Sequence, residues 1–535
     1  MKNYFKKVIA LLLAAVMVVA MGATVFAAGN VPSADDNATV TVKNVTSGTV
    51  TGYKIVKGVY DGTNGLKDFE AVEGVTIADI SNPTEAEIAE IAKKIRNKEI
   101  TLETVEFTKG ASDYTANVKA GTYLVIVTGT EDATLYNPML VSASYDKDSK
   151  IEGGTVDASG SYVLKGATVY AKSSTPTAKK TIVNADGKTS DGADVSHGAD
   201  VYAGSTVNFQ IESTIPDYSD AYDTDSLKFD VKDELDSTFT VDENSIKVYI
   251  DGSETALTKG NDTYTVECNG SNFTVKFASA YIKANGNAKV KVVYEATLGA
   301  NAKYNFDPNE NKVTVIYSNE PGTDASGSPK TNETTDITYH YTFGIDATLG
   351  GAKTNVSGKT TTEIIKTSDE KRTSQTATTE NEPISGATFT LTSKDGLKTF
   401  TSTSDANGML NFTGLDAGEY VLKETQAPDG YALEGKEHKV VISAYYNTDG
   451  TLASYSIKID DAETSTYTAT YTKTDNVVTG VTVTGDSNGT EIKNTKISNL
   501  PSTGGIGTYI FTIAGIAIMV AAVALFFANR RKKAE

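Results

Sequence analysis

The chemistry of this 535-residue chain is concentrated first near its end. Leu500-Pro501-Ser502-Thr503-Gly504 precedes an apolar run from Thr508 to Ala528, and Arg530, Arg531, Lys532 and Lys533 follow. An apolar run of about twenty residues matches the hydrocarbon core of a bilayer. The basic cluster behind it stays on the cytoplasmic side. The pentapeptide is therefore held just outside a membrane, where Pro501 fixes an extended backbone open to cleavage. A second kind of chemistry lies in the interior. Asp233 follows Phe229 and Val231 at period two, so it faces inward with them. Asn311 and Asn319 share the face of Val313, Val315 and Tyr317, and Lys179 and Lys180 lie on an earlier strand of the same region. Burial lowers a lysine pKa and raises a carboxyl pKa, so a neutral amine and a protonated acid can coexist at neutral pH. Parity does not separate Lys180 from Lys179, nor Asn311 from Asn319.

The elements that must hold these residues are mostly strands. Thr, Val and Tyr are plentiful, Trp is absent, and Gly, Asn and Asp turns recur. At the start, Lys2, Lys6 and Lys7 precede an apolar stretch from Val8 to Val19, with Ala27 and Ala28 as cleavage sites. Residues 1–28 are thus a secretory leader. Between the leader and the sorting segment at 499–535, three regions are expected. Residues 29–174 contain strands such as Tyr123 to Val127 and one short helix, opened by Pro83, Thr84 and Glu85, with Ile88, Ile91, Ala92 and Ile95 on one face. Residues 175–350 carry a strand signal every ten or so residues and read as a β-sandwich. Within them, Glu320 to Asp336 reads as a polar loop and Tyr339 to Ile345 as a closing strand. Residues 351–498 open with a polar stretch, Lys366 to Glu382, whose composition suits disorder.

Composition excludes several functions. The formal charge of −19 argues against nucleic acid as a partner. The one cysteine, Cys268, rules out an intrachain disulfide, and the three histidines are far apart in sequence. No metal or cofactor is expected. No Ser/His/Asp order or phosphate loop appears, which disfavours a secreted enzyme carrying anchoring domains.

Pentapeptide, span and basic tail, in that order, resemble the Leu-Pro-x-Thr-Gly cell-wall sorting signal of Gram-positive surface proteins, and all four fixed positions match. The resemblance implies that a sortase cleaves between Thr503 and Gly504 and passes the Thr503 acyl group to an amine. Ala167-Thr168-Val169-Tyr170-Ala171-Lys172 resembles the pilin motif of sortase-built pili, with Ala171 in place of the usual proline. That implies Lys172 as the accepting amine. The lysine, acid and asparagine of the second region are spaced as in fimbrial domains that form an internal Lys–Asn isopeptide bond, with Lys180, Asp233 and Asn311 as the preferred set. The acid would polarise the amide carbonyl, the amine would attack, and ammonia would leave, helped by the proximity that folding imposes. Tyr420-Val-Leu-Lys-Glu424-Thr-Gln-Ala427-Pro428-Asp-Gly430-Tyr431 closely resembles the signature of collagen-adhesin B-type domains. It implies Glu424 as the catalytic acid, with Asn494 in Glu491-Ile-Lys-Asn494 as the reacting amide. Lys366 is the preferred amine and Lys353 a rival.

The chain as a whole resembles the major shaft subunit of a sortase-assembled pilus, all-β, with tandem immunoglobulin-like sandwiches and a C-terminal transmembrane helix. The implied partners are sortase, other pilin subunits at shaft, tip and base, peptidoglycan and a host surface ligand. The implied location is the cell wall. The internal reaction is single-turnover, so the chain is not read as an enzyme. A wall-anchored monomeric adhesin is the alternative, and Lys172 discriminates between the two.

Overall fold

A computed structural model describes residues 32–497, apart from 62–64, 131–133, 146–162, 223–224, 324–327, 350–359 and 372–380, together with a helix at 506–531. The leader, Lys353 and Leu500 to Gly504 lie outside the described residues.

The first region forms two facing sheets, one four-stranded and one six-stranded. Strand Ala38–Lys43 buries Ala38, Val40 and Val42 at period two. Strand Thr168–Tyr170 runs parallel beside it, so the start and end of the region lie side by side. The single helix here spans Glu85–Arg96. Thr84 caps it through a reciprocal capping box with Glu87, and Ile88, Ile91, Ala92 and Ile95 are buried.

The second region is a sandwich of a five-stranded and a six-stranded sheet. Lys179–Ile182 lies at the edge of the first, beside Thr206–Thr214 and then Lys289–Leu298. Phe229–Leu235 and Asn309–Thr323 are neighbours in the second. Two sequence expectations are corrected here. The loop expected from Glu320 to Asp336 is largely a hairpin, because strands Asn309–Thr323 and Pro329–Tyr341 pair far beyond the apolar stretch. A strongly apolar strand templates a polar partner through backbone hydrogen bonds, so composition alone misreads the partner. A short helix at Ser279–Ala284 was also missed, since six residues are too few to show a period.

The third region packs a seven-stranded sheet against a three-stranded one, in which Ile364–Lys371 runs parallel to Thr490–Asn494. The closing strand expected at Tyr339 to Ile345 divides. Pro329–Tyr341 stays in the second region's sheet, whereas Phe343–Ile345 pairs with Phe412–Leu415 of the third. The expected disorder from Lys366 to Glu382 fails at both ends. Lys366 to Ser368 are buried within a strand, and Asn381–Pro383 pairs with that strand. The helix Ile506–Arg531 includes nineteen residues, Tyr509–Phe527, that are apolar enough to cross a membrane.

Neighbouring regions are tightly docked. Arg96 of the first region pairs with Glu320 of the second, and its Nε donates to the Pro321 carbonyl at 3.1 Å. Between second and third, Gly198 and Gly450 meet backbone to backbone. A Cβ on Gly198 would lie 2.1 Å from the Gly450 carbonyl oxygen, so neither position has room for a side chain there.

Candidate functional site

The second region brings Lys180, Asp233 and Asn311 into one closed pocket between its sheets. All three are fully buried. Lys179 faces outward and pairs with Glu212 at 2.9 Å, whereas Lys180 Nζ lies 2.5 Å from Asp233 Oδ1. Strand alternation explains the difference: Ile182 and Lys180 point in, Lys179 and Thr181 out. Asn319 is half-buried and eight residues farther along its strand, and its carbonyl accepts from Tyr222. Asp233 lies across the ladder from Val313, and Leu235 across from Asn311. Burial lowers the Lys180 pKa and raises that of Asp233, each opposed by the charge of the other.

Tyr294 joins the three residues and was not singled out from the sequence. Lys180 Nζ donates to its hydroxyl at 2.8 Å and Asn311 Nδ2 donates to it at 2.6 Å, while the hydroxyl itself donates to Asp233 Oδ2. The signal was present in the period-two row Val290, Val292, Tyr294, Ala296 and Leu298. A buried phenol in such a row needs a polar partner. His340 also lies near this pocket, edge-on to Phe209 and Phe239. Burial and the nearby Lys180 charge push its pKa down to about 3, so it is neutral.

The third region brings together Lys366, Glu424 and Asn494, again fully buried. Lys366 and Asn494 come from the parallel pair Ile364–Lys371 and Thr490–Asn494, and Glu424 from the opposing sheet. Lys366 Nζ contacts Asn494 Oδ1 and lies 3.5 Å from Glu424 Oε1. Asn494 Nδ2 donates to the same Glu424 oxygen at 2.8 Å, and Glu424 Oε2 accepts from the Glu434 amide at 2.6 Å. Burial lowers the Lys366 pKa. Close by, Asp346 and Glu363 form a buried carboxyl pair unforeseen from the sequence, ringed by backbone donors and Tyr467.

Lys172 is exposed, separated from strand Thr168–Tyr170 by the buried Ala171 and immediately before the two-residue strand Ser173–Ser174. Its backbone is pinned, since its carbonyl accepts from the Asn137 amide at 3.2 Å and the Ala171 amide donates to Lys43. Among the described residues, no group of three or more His, Cys, Asp or Glu could hold a metal ion.

Four family models match parts of the chain. They are the T6 antigen Ig-like domain at residues 35–173, the Sgo0707 N2 domain at 187–327, a prealbumin-like fold domain at 369–453 and the LPXTG cell wall anchor motif at 492–535. A curated relative, the trypsin-resistant surface T6 protein of Streptococcus pyogenes serotype M6, is 26% identical over 94% of this chain and 96% of its own length. The chain is similar to T6 from end to end. With the anchor motif, that makes it a cell-wall-anchored surface protein. Among solved structures, the T6 backbone pilin of serotype M6, described as a modular three-domain structure, shares the fold. Its TM-score is 0.62 at 22% identity, covering 87% of this chain and all of that one. The Corynebacterium diphtheriae major pilin SpaA superposes more loosely, with a TM-score of 0.45 at 14% identity over 86% of this chain.

Proposed function

We propose that the chain is the backbone subunit of a cell-wall pilus. In this reading sortase joins Thr503 of one copy to Lys172 of the next, and two internal amides, Lys180–Asn311 and Lys366–Asn494, stiffen each copy. Asp233 and Glu424 are the acids that promote them. The modules run from 29 to about 174, to about 350 and to about 498, with Phe343 to Ile345 already docked into the third. The role is structural, and each internal reaction runs once.

The observation that carries the reading is the serial placement of the two buried clusters between Lys172 and Thr503. Hydrogen bonds contribute only about 1 kcal/mol each net, so a string of sandwiches pulled from its ends can shear apart. Tension entering at Lys172 would reach Lys180 within eight residues and cross to Asn311 through side chains. It would then pass from Lys366 to Asn494 and leave at Thr503. Nearly all of the first module stands outside that path and needs no cross-link for this purpose.

The same signals at both ends suit a solitary wall-anchored adhesin, so polymerisation is the test. Surface material from cells carrying the wild-type chain should run as high-mass ladders in hot detergent, and Lys172→Ala should collapse them to single chains. Persistence of ladders in Lys172→Ala would end the assignment of Lys172. The absence of ladders from wild type would leave the adhesin. Peptidoglycan and a host surface remain proposed partners, through the anchor and the exposed fibre respectively.

A further inference from the structure

The two clusters differ in one respect. In the third module the acid reaches the amide itself, since Glu424 Oε1 accepts from Asn494 Nδ2 at 2.8 Å. In the second module, among the described residues, Asp233 makes no hydrogen bond to Asn311. The Tyr294 hydroxyl occupies the gap, bonded at once to the amine, the carboxyl and the amide nitrogen. Asn311 Oδ1, by contrast, has no hydrogen-bond partner. The hydrogen bond that reaches this amide therefore lies at its nitrogen, the atom that must depart.

We propose that Tyr294 is a catalytic residue of the second module's cross-linking reaction, handing the Asn311 amide nitrogen the proton with which it departs as ammonia. This rests on the reading that Lys180 and Asn311 form an amide. The steps balance as follows. Lys180 first gives one proton to Asp233, leaving a neutral amine and a neutral acid. The amine nitrogen attacks Asn311 Cγ, forming the new C–N bond and a tetrahedral carbon. Asn311 Nδ2 gains a free lone pair and turns from donor to acceptor. The Tyr294 hydrogen swings to it, and Asp233, now a donor, passes its proton to the phenol oxygen. The Cγ–Nδ2 bond breaks and ammonia leaves. Asp233 recovers a proton from the attacking nitrogen, so neither Asp233 nor Tyr294 is consumed. The net change is amine plus primary amide to secondary amide plus ammonia.

A phenol suits this duty because it donates and accepts through one oxygen. Burial and the neighbouring Asp233 carboxyl raise the Tyr294 pKa well above its usual value, which keeps the proton in place until it is needed. The ring is held by stacking on Phe209, with centroids 5.0 Å apart, and by an edge contact with Phe273 at 4.8 Å. Tyr294→Phe therefore removes the oxygen and leaves these ring contacts.

The test follows branched peptides in the full chain, recovered unfolded and unlinked as inclusion bodies from a host without sortase, dissolved in denaturant and then refolded. Wild type should yield both the Lys180–Asn311 and the Lys366–Asn494 branched peptides. Tyr294→Phe should form the second at the wild-type rate and the first at least about a hundredfold more slowly, the span of general acid–base help. Rates are taken well below the melting temperature of the less stable variant, so that folding does not enter. In an Asn311→Ala background, where no bond can form, adding Tyr294→Phe removes the hydroxyl's bonds to Lys180 and Asp233 and should lower the melting temperature by several degrees without unfolding the module, which sets the temperature at which rates are compared. Formation of the Lys180–Asn311 peptide by Tyr294→Phe within threefold of wild type would overturn the role given to Tyr294. Its absence from wild type would instead remove the cross-link itself, a separate and visible failure.

Discussion

Lys366 and Asn494 stand on adjacent parallel strands two positions out of register: Lys366 is aligned with Ile492, and Asn494 with Ser368. A lysine side chain spans that diagonal, so the amine meets the amide without displacing either backbone. An amide formed there closes a loop of 128 residues between the first and last long strands of the third module, Ile364–Lys371 and Thr490–Asn494. Asn494→Ala should restore one ammonia, about 17 Da, to the intact mass. It should also cost about 5 kcal/mol of stability by the chain-entropy estimate for a cross-link of that length. Mass spectrometry and thermal unfolding of the same sample check both. With each mass compared with the value calculated from its own sequence, a deficit in Asn494→Ala as large as that of wild type would show that no bond forms at Asn494.

Pulling on the chain through residues 172 and 503 offers a mechanical check. With both amides in place, the spans 180–311 and 366–494 cannot lengthen. Lys180→Ala should free about 130 residues and add a step of roughly 450 Å at about 3.5 Å per residue. Single-molecule extension reads this directly, and a wild-type trace containing that same step would contradict the Lys180–Asn311 amide.

The contact between first and second modules depends on Arg96 and Glu320, each with little side-chain exposure. Glu320 also accepts from Gly129 at 3.2 Å and pairs with Lys330 at 3.0 Å. Arg96→Ala leaves Lys330 to hold the carboxylate, so the second module should stay folded while the first loses its clasp. Limited proteolysis should then cut between residues 172 and 178 several times faster, with branched peptides unchanged. An unaltered cleavage rate would mean that the ion pair is dispensable for docking.

The junction of second and third modules should respond to pH. Asp416 lies against Asp200, which accepts from Tyr446 at 2.5 Å and from the Ala417 amide at 2.8 Å. Burial and the Asp200 and Asp186 charges raise the Asp416 pKa from 3.8 to about 9. A folded pKa above the unfolded one means that the folded form binds the proton more tightly. The stabilisation is complete below about pH 4 and fades as pH rises to about 9. Melting of the junction should therefore fall between pH 5 and 9, and Asp416→Asn should flatten that slope. A wild-type profile as flat as that of Asp416→Asn would remove the carboxyl pair as its cause.

Much of this molecule was legible in one dimension, for definite reasons. An apolar span with a basic end and the pentapeptide before it are contiguous, so their meaning needs no folding. Period-two alternation marks faces, which turned Asp233 inward and made Ile88 to Ile95 one stripe of a helix. Alternation could not decide between neighbours whose strand phase was unknown. Only packing put Lys180 inside and Lys179 in water, and only the pairing of Ile364–Lys371 with Thr490–Asn494 carried Lys366 to Asn494. The same limit hid Tyr294. Its inward face could be counted, but its meeting with Lys180, Asp233 and Asn311 joins strands from both sheets, far apart along the chain. Local pattern determines which way a side chain points, whereas the partner it meets there depends on how the sheets close over one another.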